Sequence, residues 1–417
     1  MFRKRFVLGL LLTADALLQA GAAMAAEAPD MTASCRFHLC SSTRHYWVMT
    51  DGQYTSYWES NKIQHPYVTI ISDTPMYGLY ICFRQMPSSF ELQVKEVPEE
   101  TGDGEATEEP RWVTLKPGDT RFQHSFYTLD GISSVRIYST QEGSHKMGIN
   151  ELFVFGAGEI PGWVQRWEET EEKADILFFA AHPDDELIFL GGAIPFYAAE
   201  MGKKVVVAYL SWSNTARRSE ALNGLWAMGV RHYPEFGGFR DSYSSQAKDA
   251  YKLLGRDKVL RWVTEMYRKH RPEVVVTHDL NGEYGHGQHK MMADAAIQGY
   301  DLAADPDKYP DLATAYGTWR AKKLYVHLYG DESIQTRFDW NVPLESMGGK
   351  TGLEAASDAY ALHATQASAK VKIKGKWHLL SVEETGAAFS NTTFGLYASQ
   401  VGPDETHTDF LEHIETE

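Results

Sequence analysis

The run Ile176-Leu177-Phe178-Phe179 constrains this chain more than any other stretch. It is short, continuous and apolar, and an amphipathic segment begins near Leu187. An apolar run of that length before a helical pattern reads as a strand buried on both faces of a parallel sheet, feeding a loop and then a helix. Strand and helix patterns then alternate. Helices are predicted from Glu186 to Met201, from Ala216 to Met228, from Gln246 to Lys269 and from near His289. Strands are predicted from Lys204 to Leu210, near Tyr233 to Phe236, from Glu273 to His278 and from Lys323 to Leu328. The alternation predicts a three-layer α/β/α domain over 174–417. No G-x-G-x-x-G follows the first strand, which excludes a nicotinamide-dependent enzyme.

Upstream the pattern changes. From about Ala33 to Gly158 it is short, alternating and aromatic, with strands over Tyr67–Ile71, Gly78–Phe83, Phe90–Val94, Val135–Tyr138 and Glu151–Phe155. That predicts an all-β sandwich over 34–158 that folds on its own. The acidic stretch Pro98 to Pro110 reads as an exposed loop. Residues 159–173 read as a linker, with Pro161-Gly162 and then the run Glu168 to Glu172 as a solvated face or a hinge. The tail is not low-complexity. Ala359 to Gln366 has helical spacing, and Phe394–Tyr397 and Asp404–Phe410 read as ordered segments covering the site. His363 reads as a packing residue or a support for a ligand rather than a ligand.

The first residues carry an address. Arg3, Lys4 and Arg5 precede the apolar run Phe6–Leu12, and Ala23-Met24-Ala25 is an A-x-A signal. This predicts a signal peptide over 1–25, and so a secreted, periplasmic or cell-surface protein without a transmembrane segment after cleavage. Export permits disulfides among Cys35, Cys40 and Cys82. Cys35 and Cys40 are close enough in sequence to close a small loop, leaving one thiol over. The net charge of -16 argues against nucleic acid as a partner.

The chemistry concentrates in two stretches. His182-Pro183-Asp184-Asp185-Glu186 stands at the carboxyl end of the first buried strand, where α/β sheets collect their sites. His182 and Asp185 are one turn apart and can converge on one divalent ion such as zinc. Asp184 lies between them, points elsewhere and is free to act as a base on an activated water. The competing reading is a surface turn whose aspartates cap the next helix. The second stretch, Asn281 to His289, follows another strand and holds His286 and His289, with glycine on both sides of His286. One histidine can complete a three-ligand site with an open position. The other can be a proton donor or an oxyanion partner.

These motifs resemble the LmbE-like (PIG-L) zinc N-deacetylase family over about Asp175 to Tyr329. The family's A-H-P-D-D-E stands as Ala181 to Glu186, and its G-Y-G-H-x-x-H as Glu283 to His289, with Glu283 where the first glycine often lies. Its R-x-x-E helix stands as Arg217 to Glu220, leading to Met228-Gly229-Val230, and its R-D-S as Arg240-Asp241-Ser242. The resemblance implies a Rossmann-like fold. It implies Zn2+, or another divalent ion such as Fe2+, held by His182, Asp185 and His289. It implies Asp184 as general base, Tyr284 and His286 as oxyanion partners, and Arg217 and Asp241 as sugar contacts. Either Asp184 or His286 would donate to the leaving amine. The front domain resembles the discoidin-like, galactose-binding-like sandwich family. Asp51-Gly52 to Trp58 matches its early turn and Gly148 to Gly156 its closing strand. Sugar binding and a purely structural role both remain open there. The expected function is removal of N-acetyl groups from a GlcNAc-type sugar, glycan or glycoconjugate. The alternatives are a zinc amidase on a non-sugar amide and an inactive carbohydrate-binding protein.

Overall fold

The computed structural model describes residues 26–41, 45–96, 111–170, 173–212 and 214–415. The stretches read as a signal peptide (1–25) and as an acidic loop (98–110) lie outside the described residues, as do Glu171 and Glu172. Among the described residues, seven strands make the front half: β1 (Arg36–Leu39), β2 (Trp58–Glu59), β3 (Tyr67–Gln85), β4 (Phe90–Glu96), β5 (Arg111–Pro117), β6 (His124–Ser139) and β7 (Gly148–Phe155). They pair in the order β2-β7-β3-β6-β4-β5, with β1 on β3. Their alternate residues, among them Val68, Ile70, Leu79, Ile81, Ile137, Leu152 and Val154, close over one apolar core with Trp58.

The two strands read over Tyr67–Ile71 and Gly78–Phe83 are halves of β3. Pairing with β6 continues through register slips between Ile71 and Gly78. The polar run Ser72-Asp73-Thr74-Pro75 hides this continuity, because bulged backbone keeps its partner while the side-chain alternation lapses. The cysteines do not pair: Cys35, Cys40 and Cys82 are all free. The residues between Cys35 and Cys40 are β1. An extended strand rises ~3.3 Å per residue, which holds this pair far beyond the roughly 7 Å that a disulfide tolerates.

The back half contains β8 (Ile176–Ala180), α1 (Asp185–Ile188), α2 (Ala193–Pro195), β9 (Val205–Ser211), α3 (Thr215–Ala227), β10 (Glu235–Phe239), α4 (Ala247–Leu254), α5 (Arg256–His270), β11 (Val274–Thr277), α6 (Gly287–Leu302), α7 (Pro310–Tyr316), β12 (Lys323–His327), β13 (Gln335–Arg337), α8 (Gly352–Ala361), β14 (Lys370–Ile373), β15 (Lys376–Leu379) and β16 (Thr393–Ser399). The sheet runs β10-β9-β8-β11-β12-β16-β13. The first five strands are parallel, and the tail adds β16 and β13 antiparallel. Ile176, Phe178 and Ala180 pack into one apolar layer with α1, α2, α3 and α8, while Leu177 and Phe179 pack into the other with α4, α5 and α6. This is a three-layer α/β/α domain behind an all-β one.

Two predicted helices are broken. The stretch Glu186–Met201 divides at Gly191-Gly192, where a Cβ would strike the Leu187 carbonyl or the Trp340 ring. The stretch Gln246–Lys269 divides at Gly255, which has φ 85°. From β8 the chain proceeds to β9 and β10 on one side, then crosses to β11 and β12 on the other. The loops after β8 and β11 therefore meet at the point where the strand order reverses, the usual place for a site in such a sheet.

The front half grips α3. Gln123 Nε2 donates to Ser219 Oγ at 2.8 Å, and the buried His124 ring lies 3.2 Å from the same oxygen. Gln165 Nε2 donates to Asn223 Oδ1 at 2.6 Å. Of the stretch read as a linker, Val164, Gln165 and Trp167 are buried while Glu168 and Glu169 face solvent.

Candidate metal centre and active site

The loop after β8 is fixed by its backbone. Ser211 N–H and Oγ–H both donate to the Ala181 carbonyl, at 3.0 and 2.9 Å. Asp185 opens α1, and its Oδ2 accepts the His182 N–H at 2.8 Å and lies 3.1 Å from His182 Nδ1. Asp184 holds φ 117°, a left-handed conformation that costs a β-carbon-bearing residue energy. Its N–H donates to Glu186 Oε2 at 2.9 Å, and its carbonyl accepts from Leu187 and Ile188. Arg217, on α3, reaches down with Nη2, which donates to the Pro183 carbonyl and stands 3.1 Å from Asp184 Oδ1. The strained turn sends the two adjacent carboxylates apart: Asp185 toward the histidines, Asp184 toward Arg217.

The loop after β11 brings its donors in around one buried carboxylate. Glu283 Oε1 accepts from His278 Nδ1 at 2.9 Å and His327 Nδ1 at 3.0 Å, and Oε2 accepts from His289 Nδ1 at 2.6 Å. Against the pull of burial, the rings of His278 and His289 hold Glu283 ionised well below the usual carboxylate range, so it accepts only and each ring presents an N–H to it. His289 therefore turns Nε2 outward, 3.3 Å from Asp185 Oδ2. Tyr284 Oη lies 3.5 Å from the same nitrogen. His286 caps α6, its Nδ1 accepting the Gln288 N–H at 3.3 Å. His182 Nε2 faces Gln288 Oε1 at 2.7 Å and Asp241 Oδ1 at 3.4 Å.

All eight residues singled out in the sequence thus converge on one place. Asp241 sits at its half-exposed rim, and Arg217 is buried with its guanidinium turned to Asp184 and Pro183. Sequence reading missed His278, His327 and Gln288, and gave Glu283 no role. Adjacent strands β8, β11 and β12 each deliver a histidine at or just past their carboxyl ends, and that shared position was the available signal.

The charges of the site are tightly coupled. Burial pushes Asp184 up to about 7 against the pull of Arg217. Asp185 is held below the usual carboxylate range, where the His289 and His182 rings outweigh its burial. His182 is held well above an ordinary imidazole by the Asp185 and Asp241 carboxylates, which outweigh its burial. Burial and the rings of His289 and His182 depress His286 to about 3. Buried carboxylates in such number need compensation. Ligand nitrogens of His182, His286 and His289 lie within 4.8 Å of one another, and so do ligand atoms of Asp185, His278 and His289. An imidazole and carboxylate donor set of this kind fits zinc or a neighbouring divalent metal.

Residues 177–300 match the family model "PIG-L: GlcNAc-PI de-N-acetylase". A 1D-myo-inositol 2-acetamido-2-deoxy-alpha-D-glucopyranoside deacetylase of Frankia casuarinae is 31% identical over 193 residues, 39% of this chain and 62% of the relative. A deacetylase of the same description from Streptomyces avermitilis is 27% identical over 292 residues, 57% of this chain and 97% of the relative. The chain spans about 60% of the length of most of the curated relatives it matches. Among solved structures, N,N'-diacetylchitobiose deacetylase from Pyrococcus horikoshii is 19% identical with a TM-score of 0.36, covering 46% of this chain and 71% of that one. Over residues 177–300 the chain is thus similar to PIG-L, or LmbE-like, deacetylases.

Proposed function

We propose that the chain is a zinc-dependent hydrolase that removes the N-acetyl group from a GlcNAc-type amino sugar, glycan or glycoconjugate outside the cytoplasm. The observation that carries this reading is the divergence of two adjacent buried carboxylates, one among histidines and one on an arginine. The names of the two relatives reported above, both acetamido-sugar deacetylases, support the substrate class. A divalent ion held by His182, Asp185 and His289 would polarise the acetamido carbonyl and lower the pKa of a water beside it.

The chain's own residues supply the proton handling. Asp184, with its carboxyl near neutrality, takes the proton of the attacking water and holds it for the departing amine. Arg217 acts through Asp184 by fixing its oxygen. Tyr284 stays protonated, because burial and the nearby carboxylates Asp185 and Asp184 push its hydroxyl far up, and it donates to the developing oxyanion. His286 is neutral and accepts at Nδ1, so its remaining N–H at Nε2 is a second donor. Asp241, on the rim, accepts from sugar hydroxyls.

Asp184→Asn and Asp185→Asn test the division of roles. The first should retain zinc and lose about 10²–10⁴-fold in acetate release. The second should lose zinc as its primary defect. Undiminished acetate release by Asp184→Asn with metal bound would refute the hydrolytic assignment.

A further inference from the structure

The hairpin of β14 and β15 lies outside the site, and its composition departs from the rest of the chain. Lys370-Val371-Lys372-Ile373-Lys374-Gly375-Lys376-Trp377 places four lysines in eight residues of a chain whose net charge is -16. Strand alternation sorts them. Val371 and Ile373 turn inward to the apolar layer beneath α1 and α8, and Lys370 and Lys372 turn outward. Lys374 and Gly375, with φ 47° and 83°, make the two-residue left-handed turn that closes a tight hairpin. Register places Lys370 opposite Leu379 and Lys372 opposite Trp377, so these four side chains share the outer face. Trp377 is 69% exposed and Leu379 42%. None of the four lysines is ion-paired with a described residue, whereas Lys350 nearby in sequence holds Asp358 at 2.7 Å.

Both ends of the hairpin are fastened to the frame of the site. Upstream, Thr365 donates through N–H and Oγ to Glu220 on α3, at 2.9 and 2.6 Å. Downstream, Asn391 Nδ2 donates to the Ile188 carbonyl of α1 at 3.4 Å. A surface seated on the hairpin would therefore be held in fixed relation to α1 and α3.

We propose that this hairpin docks the protein on an anionic lipid surface. A chain of net charge -16 is repelled overall by such a surface, and a cluster of lysines is where it can approach. The lysine patch thus orients the molecule as well as attracting it. Trp377 and Leu379 stand between the lysines, and an indole beside an aliphatic chain suits the boundary between headgroups and acyl chains. An acidic polysaccharide would meet the same ammonium groups. The outer four residues offer no amide or carboxylate to pair with sugar hydroxyls, and the carboxylate beside them, Glu384, is engaged by the Leu379 N–H at 3.1 Å. The proposal does not depend on the hydrolase reading.

The test is sedimentation of the full chain with vesicles of phosphatidylcholine alone or mixed with phosphatidylglycerol. Binding is expected only to the mixed vesicles, and it should weaken as salt rises. Each lysine near an anionic leaflet is worth about five-fold in affinity, so replacing Lys370, Lys372, Lys374 and Lys376 together by glutamine should cost at least about 10²-fold. Because eleven tryptophans are present, brominated lipid should quench the wild type more than Trp377→Phe. Equal binding to neutral vesicles, no binding to either, or undiminished binding by the glutamine variant would overturn the proposal. So would capture of soluble polygalacturonate in preference to the mixed vesicles, which would reassign the patch to acidic glycans. Should the quadruple variant unfold, Lys372→Glu and the quenching comparison decide the matter alone.

Discussion

Glu283→Gln is the substitution that most directly tests how the site is built. It is nearly isosteric and removes one acceptor and one charge. Three ring N–H groups now point at Glu283, at 2.6, 2.9 and 3.0 Å, and the Asp279 N–H adds a fourth donor at 3.2 Å. A glutamine has one oxygen. If that oxygen serves His278 and His327, the amide nitrogen confronts His289 Nδ1–H, and His289 must turn or change tautomer. The Nε2 now facing Asp185 would then carry the proton and cease to be a ligand. Carboxylate partners of metal-binding histidines typically set 10–100-fold of metal affinity, about 1.4–2.8 kcal/mol. Burying an unmatched donor adds about 1–3 kcal/mol of destabilisation. The assay is zinc retention by elemental analysis after dialysis against graded chelator, with thermal unfolding recorded alongside. Zinc affinity within two-fold of wild type, in a protein that unfolds at an unchanged temperature, would refute the claim that Glu283 fixes His289.

Two further predictions follow. Arg217→Met should leave Asp184 buried without its counter-charge and cost about 3–5 kcal/mol in stability; because Asp184 already sits near 7 with Arg217 present, its loss moves the ascending limb of the kcat/KM profile to higher pH, and an unmoved limb would show that Arg217 does not act through Asp184. Burial depresses His124 from 6.5 to about 3, so the unfolded chain binds a proton there that the folded chain does not. Stability is full above pH 6.5 and falls as pH drops toward 3, by up to about 5 kcal/mol; His124→Gln should flatten that loss in urea titrations taken across the window, and an identical pH slope would place the acid sensitivity elsewhere.

Local chemistry was legible, and long-range convergence was not. The strand Ile176–Ala180 announces itself because both of its faces are covered, so every residue is apolar. His182 and Asp185 could be paired from spacing alone, since a single turn brings them together. Glu283 could not be read that way. It gains its meaning from His278 just past the strand before it and from His327, 44 residues later on a neighbouring strand. No local pattern records that meeting. The helix breaks at Gly191 and Gly255 were visible as glycines, but what forbids a side chain at Gly191 is the Leu187 carbonyl together with Ala356, and the second of these is remote in sequence.

By hydrogen bonding the two halves are separate sheets, and the change of pattern near residue 158 marks that division. By packing they are joined, because Phe122 of the front half belongs to the apolar layer that backs β8 and α3. Ser219, which receives Gln123 and faces His124, lies two residues from Arg217 on the same helix. A helix held from one side by the sandwich and extending its arginine to Asp184 on the other cannot shift without moving both. The front half thereby sets the position of α3, and through Arg217 it reaches Asp184.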